Sequence, residues 1–171
     1  MNFKKMLMSA IIASVIGIPQ ILPASDEGKA ETIIDTGTFE KWVLVDFELR
    51  KESDKYVKIE DNTINISAKS GIKNIWFFNP VSTSCTNDRS VEFSFNAEGT
   101  GQGQIGFLTY EDDKWTSTEG MKIMNFSVEI NMKSFKFNLP VKGEKIKAIR
   151  VLIGATPNSE VKFSDLKISV K

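Results

Sequence analysis

The sequence predicts an all-β protein, an antiparallel sandwich or barrel, from three observations. Between residues 31 and 171 apolar side chains recur at every second position, and no stretch of comparable length shows a helical period. Turn-forming residues separate about ten such segments at regular spacing. The chain beyond an expected export segment has roughly 147 residues, which suits one β domain and leaves no room for a second.

The first half of the chain contains five predicted strands, at residues 42–49, 56–60, 63–68, 73–78 and 91–97. The last of them is the clearest, because Phe93 and Phe95 alternate with the polar Ser94 and Asn96. One face of this strand is therefore buried and the other is solvated. Turn residues interrupt the pattern at 61–62 and 70–71.

The second half contains five more predicted strands, at residues 103–110, 124–130, 134–141, 148–155 and 161–170. In the third of these, Phe135 and Phe137 alternate with Lys136 and Asn138, which again indicates one buried face. The turns that separate the strands fall at 99–101, 112–113, 119–120, 142–143 and 157–158.

The charge balance and the histidine content exclude several functional classes. The chain has 22 basic and 22 acidic residues and no histidine. Without Lys4 and Lys5, which lie in the export segment, the net charge is about −2. This predicts no binding to nucleic acid or to an anionic membrane surface. The lack of histidine removes Ser-His-Asp and Cys-His catalysis and histidine-ligated zinc.

Residues 1–24 are predicted to be a secretory signal peptide, and 25–171 the single folded domain. A basic head at 1–5 precedes the apolar stretch 6–18, which Pro19 ends. That stretch is shorter than the roughly 20 residues a membrane-spanning helix needs, so we expect cleavage after Ala24 or Ala30. The mature chain is expected to be secreted (extracellular, periplasmic or at the cell surface) without membrane insertion.

The single cysteine, Cys85, cannot form an internal disulfide. It follows a polar run, with neither a partner thiol nor a histidine base in the sequence. We interpret it as an isolated thiol in a loop, the alternatives being intermolecular pairing or a nucleophile.

Two predicted strands are apolar on both faces, and this surplus is the main indication of function. Alternation places Ile75 and Phe77 on one side of the sheet and Trp76 and Phe78 on the other. Only one side can face the interior of a sandwich. The second set is therefore covered by a loop, buried in a partner, or displayed as a platform for a ligand.

The strand 103–110 divides in the same way, with Gly106, Leu108 and Tyr110 on one side. A glycine between apolar neighbours lets another group approach the backbone closely. The alternatives are a loop packed over these residues or a β-bulge at Gly106.

Trp115 and Arg150 complete the predicted binding residues. Trp115 follows an acidic turn, and its ring either stacks on a sugar or anchors the loop against the sandwich. Arg150 alternates with inward apolar residues, so it either donates hydrogen bonds to a polar ligand or forms a surface ion pair.

Five segments together resemble carbohydrate-binding modules of the galactose-binding-like jelly-roll superfamily. They read GTFE (37–40, with Trp42 close behind), FSFNAEG (93–99), GFLTY (106–110), FKFNLPV (135–141) and VKFSDLKI (161–168). The resemblance extends over nearly all of residues 32–170. It implies a two-sheet antiparallel jelly roll, export, and non-catalytic attachment to a polysaccharide or glycan.

The resemblance also implies a structural calcium ion, with Glu40 and Asp165 among its ligands. Carboxylate oxygens from distant segments suit calcium, which takes roughly six to eight oxygen ligands. This chain has Ser164 where many members have a second acid. Without the metal, the two carboxylates are surface groups or turn caps.

Three functional classes follow from these observations. A binding protein would hold a glycan on Trp76, Phe78, Tyr110, Trp115 and Arg150. An enzyme would need a facing carboxylate pair drawn from Glu92, Glu111, Asp112 and Asp113. A structural or interaction protein would bury the second apolar face against a protein partner or a second copy of the chain.

Overall fold

The computed structural model describes residues 31–34, 39–69, 73–111, 114–115 and 121–171. The predicted signal peptide and the predicted turns at 70–71, 112–113 and 119–120 lie outside these residues. In the part of the chain that is described, no helix is long and apolar enough to cross a bilayer.

Strands of two to eleven residues make up most of the described chain. They are β1 (Thr32–Ile34), β2 (Val43–Leu44), β3 (Val57–Glu60), β4 (Thr63–Ser67), β5 (Ile75–Phe78), β6 (Thr83–Ser84), β7 (Ser90–Thr100), β8 (Gln102–Glu111), β9 (Lys114–Trp115), β10 (Met121–Ser127), β11 (Lys133–Pro140), β12 (Ala148–Ala155) and β13 (Glu160–Val170). The helical elements are α1 (Phe47–Arg50) and two 3-10 turns, Phe39–Lys41 and Ser53–Lys55.

The strands form two antiparallel sheets. Sheet A has the order β11-β7-β13-β4-β3, and β1 also pairs with β13. Sheet B has the order β10-β8-β12-β5-β2, with β6 on β12 and β9 on β8. The chain passes from sheet A to sheet B at Gly101, whose φ of 83° suits glycine. The predicted all-β, two-sheet antiparallel sandwich of the jelly-roll class is confirmed.

The core lies between the sheets and is built from the alternating apolar residues. The ring of Phe95, on sheet A, lies with its centroid 5.1 Å from that of Phe126, on sheet B. Phe93 and Phe163 of sheet A are fully buried, as is Phe107 of sheet B. Burying one such side chain stabilises the fold by roughly 1.5–3 kcal/mol.

The predicted long strand at 42–49 is wrong. Only Val43 and Leu44 pair with β5, and α1 begins soon afterwards. The reason is Asp46, whose Oδ1 accepts a 2.9 Å hydrogen bond from the backbone N–H of Glu48 and so caps the helix. Trp42, directly before β2, lies in the core.

Cys85 follows β6 and is a free thiol buried in the core, only 2% exposed. Burial raises the pKa of the Cys85 thiol to about 11, against a weaker opposing effect of Arg89. The thiol is therefore protonated at neutral pH, which argues against a nucleophilic role.

Candidate functional site

The outer faces of the two sheets differ in chemistry. On sheet A, Glu92 is paired with Lys171 at 2.9 Å and with Lys136 at 3.2 Å, and Glu98 with Lys162 at 3.1 Å. The outer face of sheet B carries a second hydrophobic cluster, separate from the core, formed by Phe78, Leu108, Tyr110 and Leu152. A ligand that needs apolar contact therefore fits sheet B, because salt bridges occupy much of sheet A.

The strand register arranges the outer face of sheet B in rows. The first row is Trp76, Gly154, Gln104 and Asn125; the second is Phe78, Leu152, Gly106 and Ile123; the third is Arg150, Leu108 and Met121. Tyr110 follows the third row on β8. The predicted split of β5 and β8 into two apolar faces is confirmed, with Trp76, Phe78, Tyr110 and Arg150 on one face.

The first row is a chain of hydrogen bonds across three strands. Trp76 Nε1 donates to Gln104 Oε1 at 2.6 Å, and Gln104 Nε2 donates to Asn125 Oδ1 at 2.9 Å. A Cβ atom on Gly154 would lie 2.7 Å from Trp76 Cδ1 and 2.5 Å from the carbonyl oxygen of Ile75. The edge of the indole thus crosses β12 where that strand has no side chain.

A depression of about 270 Å³ lies beside Trp76. It is lined by Val45, Asp46, Leu49, Lys73, Asn74 and Trp76. Lys73 Nζ donates a hydrogen bond to Asp46 Oδ2, and this bond, more than any other interaction, holds the pKa of the Asp46 carboxyl below its usual range. An aromatic ring with a carboxylate, an amine and an amide around it can both stack on a ligand and hydrogen-bond to it.

Arg150 lies at the other end of the face and is held by neutral groups. Its Nε donates to Ser82 Oγ at 2.9 Å, and its Nη1 donates to the Tyr110 hydroxyl at 3.4 Å. The guanidinium carbon lies 4.3 Å from the centroid of the Tyr110 ring, a cation–π contact. Within the described ranges Arg150 has no ion pair, so the surface ion pair offered as the alternative is not found.

The aromatic rings are less exposed than a flat platform requires. Phe78 is 9% exposed and Tyr110 is 8% exposed, while Trp76 is only partly buried. Of the alternatives left open for this face, display of the Phe78 and Tyr110 rings to solvent is therefore not found. They pack with Leu152, which is fully buried, and form the floor of the face.

Gly106 has a structural role. A Cβ atom there would lie 2.0 Å from the carbonyl oxygen of Lys122 on β10. The group that approaches its backbone is thus the neighbouring strand. The β8–β10 register is continuous at this position, so a β-bulge is not present at Gly106.

Trp115 lies in a short strand, β9, whereas the sequence placed it in a loop. Its backbone pairs with Tyr110 as part of β9, and its side chain lies outside the described atoms. Its role in binding therefore stays a prediction.

The predicted calcium ligands lie in different elements. Glu40 is in a 3-10 turn, and its side chain is not described. Asp165 lies at a β-bulge in β13 with φ of 52°, and its Oδ2 accepts a 2.7 Å hydrogen bond from Asn96 Nδ2. Among the described residues no three His, Cys, Asp or Glu side chains cluster as metal ligands would. The calcium ion stays a prediction.

The sequence analysis missed five polar groups of this face, namely Asp46, Lys73, Ser82, Gln104 and Asn125. Alternation along β8 could have placed Gln104 on the face of Tyr110. The position of Asn125 on this face depends on the β8–β10 register. The pairing of Asp46 with Lys73 depends on α1, a helix that was not predicted. No signal in the sequence fixes either of these.

No family model and no curated protein matches the chain. Among solved structures, the enzymatically active domain of tailspike protein 4 of bacteriophage CBA120 aligns with a TM-score of 0.53 at 11% identity, over 79% of this chain and 21% of that one. A Stig cyclase of Fischerella sp. TAU aligns with a TM-score of 0.50 at 10% identity, over 85% and 92% of the two chains. A CBM4 carbohydrate-binding module gives a TM-score of 0.44 at 14% identity, over 82% and 86%.

The chain spans about a fifth of the length of the tailspike structure. At these identities, similarity shows the fold alone. The two neighbours with TM-scores of 0.53 and 0.50 are named as an enzymatically active domain and a cyclase, and at these identities their names say nothing of this chain's function. Function therefore has to be argued from the residues of the face itself.

Proposed function

We propose that this protein is exported and binds a carbohydrate on the outer face of sheet B without breaking a bond in it. The observation that carries the proposal is the setting of Trp76. Its indole is partly buried, is fixed by a hydrogen bond to Gln104, and borders a depression that holds Asp46 and Lys73.

This arrangement suits a sugar for two physical reasons. The C–H face of a pyranose packs on an aromatic ring, and a ring already fixed by a hydrogen bond loses little freedom when it binds. Sugar hydroxyls both donate and accept, and the depression offers a carboxylate, an ammonium group and the Asn74 amide. A purely apolar ligand would remove these polar groups from water without offering them a hydrogen bond.

The non-catalytic part of the proposal rests on where the candidate acids lie. Glu92 is on the outer face of sheet A between two lysines, whereas Glu111 ends β8 in sheet B. These two carboxylates belong to different sheets, which favours a face without a catalytic carboxylate pair. Asp112 and Asp113 lie outside the described residues.

Export and calcium binding belong to the same proposal. Export rests on the basic head and apolar stretch within residues 1–24. A calcium ion at Glu40 and Asp165 rests on the resemblance to carbohydrate-binding modules. Both are tested separately, by sequencing the N-terminus of protein recovered from the culture medium and by calorimetric titration with Ca²⁺.

Attachment to a protein partner is the second candidate function. It is favoured by the partly buried apolar residues Val43, Met121 and Ile123 at the margins of the second cluster. A dimer or higher oligomer in light scattering, together with no response to glycans, would support this function over sugar binding.

The test of sugar binding is affinity electrophoresis and glycan-array binding with the purified protein. Trp76→Ala is expected to weaken binding about tenfold or more, because it removes the stacking surface. Trp76→Phe keeps a ring and should retain most of the affinity. The matched control is Phe47→Ala, since Phe47 is an aromatic residue 73% exposed that does not line the depression. Equal effects of the two alanine variants would contradict the proposal.

A further inference from the structure

Arg150 is a cation on an apolar face with much of its hydrogen-bonding capacity unused. A guanidinium has five N–H donors, and the bonds to Ser82 and Tyr110 use two of them, which leaves three. Among the described residues Arg150 has no carboxylate partner.

The guanidinium of Arg150 is only partly buried. In the described part of the chain, one side-chain N or O atom is fully buried without a hydrogen-bond partner. It is Asn65 Oδ1, which lies on sheet A. The Nη2 of Arg150 has no hydrogen-bond partner among the described residues and is not fully buried.

The two interactions that hold Arg150 also fix its direction. Stacking on Tyr110 and the bond from Nε to Ser82 restrict the plane of the guanidinium. A preorganised planar fork is the geometry that binds a carboxylate or sulfate through two parallel hydrogen bonds, which a lysine cannot reproduce. Both protein partners are neutral, so the charge remains available to a ligand.

We infer that the ligand of this face is an acidic saccharide whose carboxylate or sulfate is held by Arg150. The inference rests on the proposed function and gives it a substrate class. Arg150 lies four residues from Gly154 along β12, which places it about 13 Å from the row of Trp76. Asp46 at the Trp76 end is already paired with Lys73, whereas Arg150 has no ion pair among the described residues.

The experiment measures binding of the purified protein to a glycan array that contains uronic-acid, sialic-acid and sulfated glycans beside their neutral counterparts. We expect the bound glycans to be acidic. For the strongest of them, esterification or desulfation should lower the affinity about tenfold to a hundredfold, the range of a charge-assisted hydrogen bond. Raising the salt concentration should weaken the acidic complex and leave neutral controls unchanged.

Arg150→Gln provides the second arm of the test. It should lower the affinity for the acidic glycan as much as esterification or desulfation does, and the two changes together should cost little more than either alone. The matched control is Arg50→Gln, because Arg50 also stacks on an aromatic ring, Phe47, and donates through Nε, to the Leu44 carbonyl, away from this cluster. Thermal unfolding of each variant confirms that it is folded.

The outcomes separate the two proposals. Binding to neutral glycans that depends on Trp76 but not on Arg150 would overturn the acidic ligand and leave carbohydrate binding in place. Equal losses in Arg150→Gln and Arg50→Gln would overturn the role of Arg150. Binding to no glycan on the array would overturn both proposals.

Discussion

Trp76 on β5 and Gln104 on β8 are joined by a 2.6 Å hydrogen bond that passes over β12, the strand between them. The bond is possible because β12 has glycine at position 154, where any Cβ atom would lie within 2.7 Å of the indole. A polar row thus runs across the outer face of sheet B beside an apolar cluster. Its geometry depends on a residue that contributes no side chain.

Gly154→Ala is expected to displace Trp76 and destabilise the protein by about 1–3 kcal/mol, the usual cost of overpacking. The added methyl group would also lie 2.5 Å from the backbone carbonyl of Ile75, which cannot rotate away. Urea denaturation measures the free energy of unfolding, and a shift in tryptophan emission reports the movement of the indole.

The double variant Gly154→Ala with Trp76→Ala controls for the source of this cost. Removing the indole relieves one of the two close contacts, so the double variant should lose less stability than the sum of the single variants. Strict additivity would show that the ring is not what Gly154 accommodates.

Gln104→Met should destabilise the protein by about 1–3 kcal/mol, although the two side chains have similar shapes. Gln104 is 4% exposed, accepts from Trp76 and donates to Asn125. Its replacement leaves the indole N–H without a partner in a partly buried place. Gln102→Met, at an exposed glutamine two residues earlier on β8, should change the free energy of unfolding by less than about 0.5 kcal/mol. Equal costs at the two positions would contradict a structural role for the polar row.

Much of the fold follows from period-two alternation, and the site follows only in part. Alternation correctly placed Trp76 and Phe78 on one face and Phe77 on the other, because strand geometry leaves no alternative. It could not reveal that Gly154 lies between Trp76 and Gln104. That relationship depends on which strands are neighbours and in what register, and both are set by long-range packing.

The solvent exposure of a side chain was harder to predict than the face of the sheet on which it lies. Phe78 and Tyr110 point away from the core as expected but pack with Leu152 into a second cluster, so their rings are not displayed. The strand predicted at 42–49 was wrong for a different reason. Its apolar residues suit a strand, and a single capping carboxylate, Asp46, turns the chain into a short helix.

The ion pair of Asp46 and Lys73 predicts a dependence of stability on pH. The hydrogen bond from Lys73 holds the pKa of the Asp46 carboxyl below its usual value of about 3.9. The charged form is therefore favoured by folding. Its contribution is complete above about pH 4 to 5 and is lost as the pH falls through the lowered pKa.

Asp46→Asn isolates this charge, because asparagine still caps α1. The melting temperature of the wild-type protein should exceed that of Asp46→Asn near pH 6, and the difference should shrink as the pH approaches 2. Lys73→Gln should show the same convergence, since it removes the other partner. A difference that stays constant from pH 6 to pH 2 would mean that the pair does not act on folding.

Cys85 provides a direct measure of whether the core is closed. It is the single cysteine of the chain, so any thiol signal comes from this residue. With a pKa of about 11, only about one thiol in a thousand is ionised at pH 8, and the sulfur is buried. Ellman's reagent should therefore react with the native protein at least about a hundredfold more slowly than with the protein unfolded in urea. Non-reducing electrophoresis of the native protein should show a monomer. Rapid reaction without denaturant, or a disulfide-linked dimer, would place the thiol at the surface and contradict the packing of this end of the sandwich.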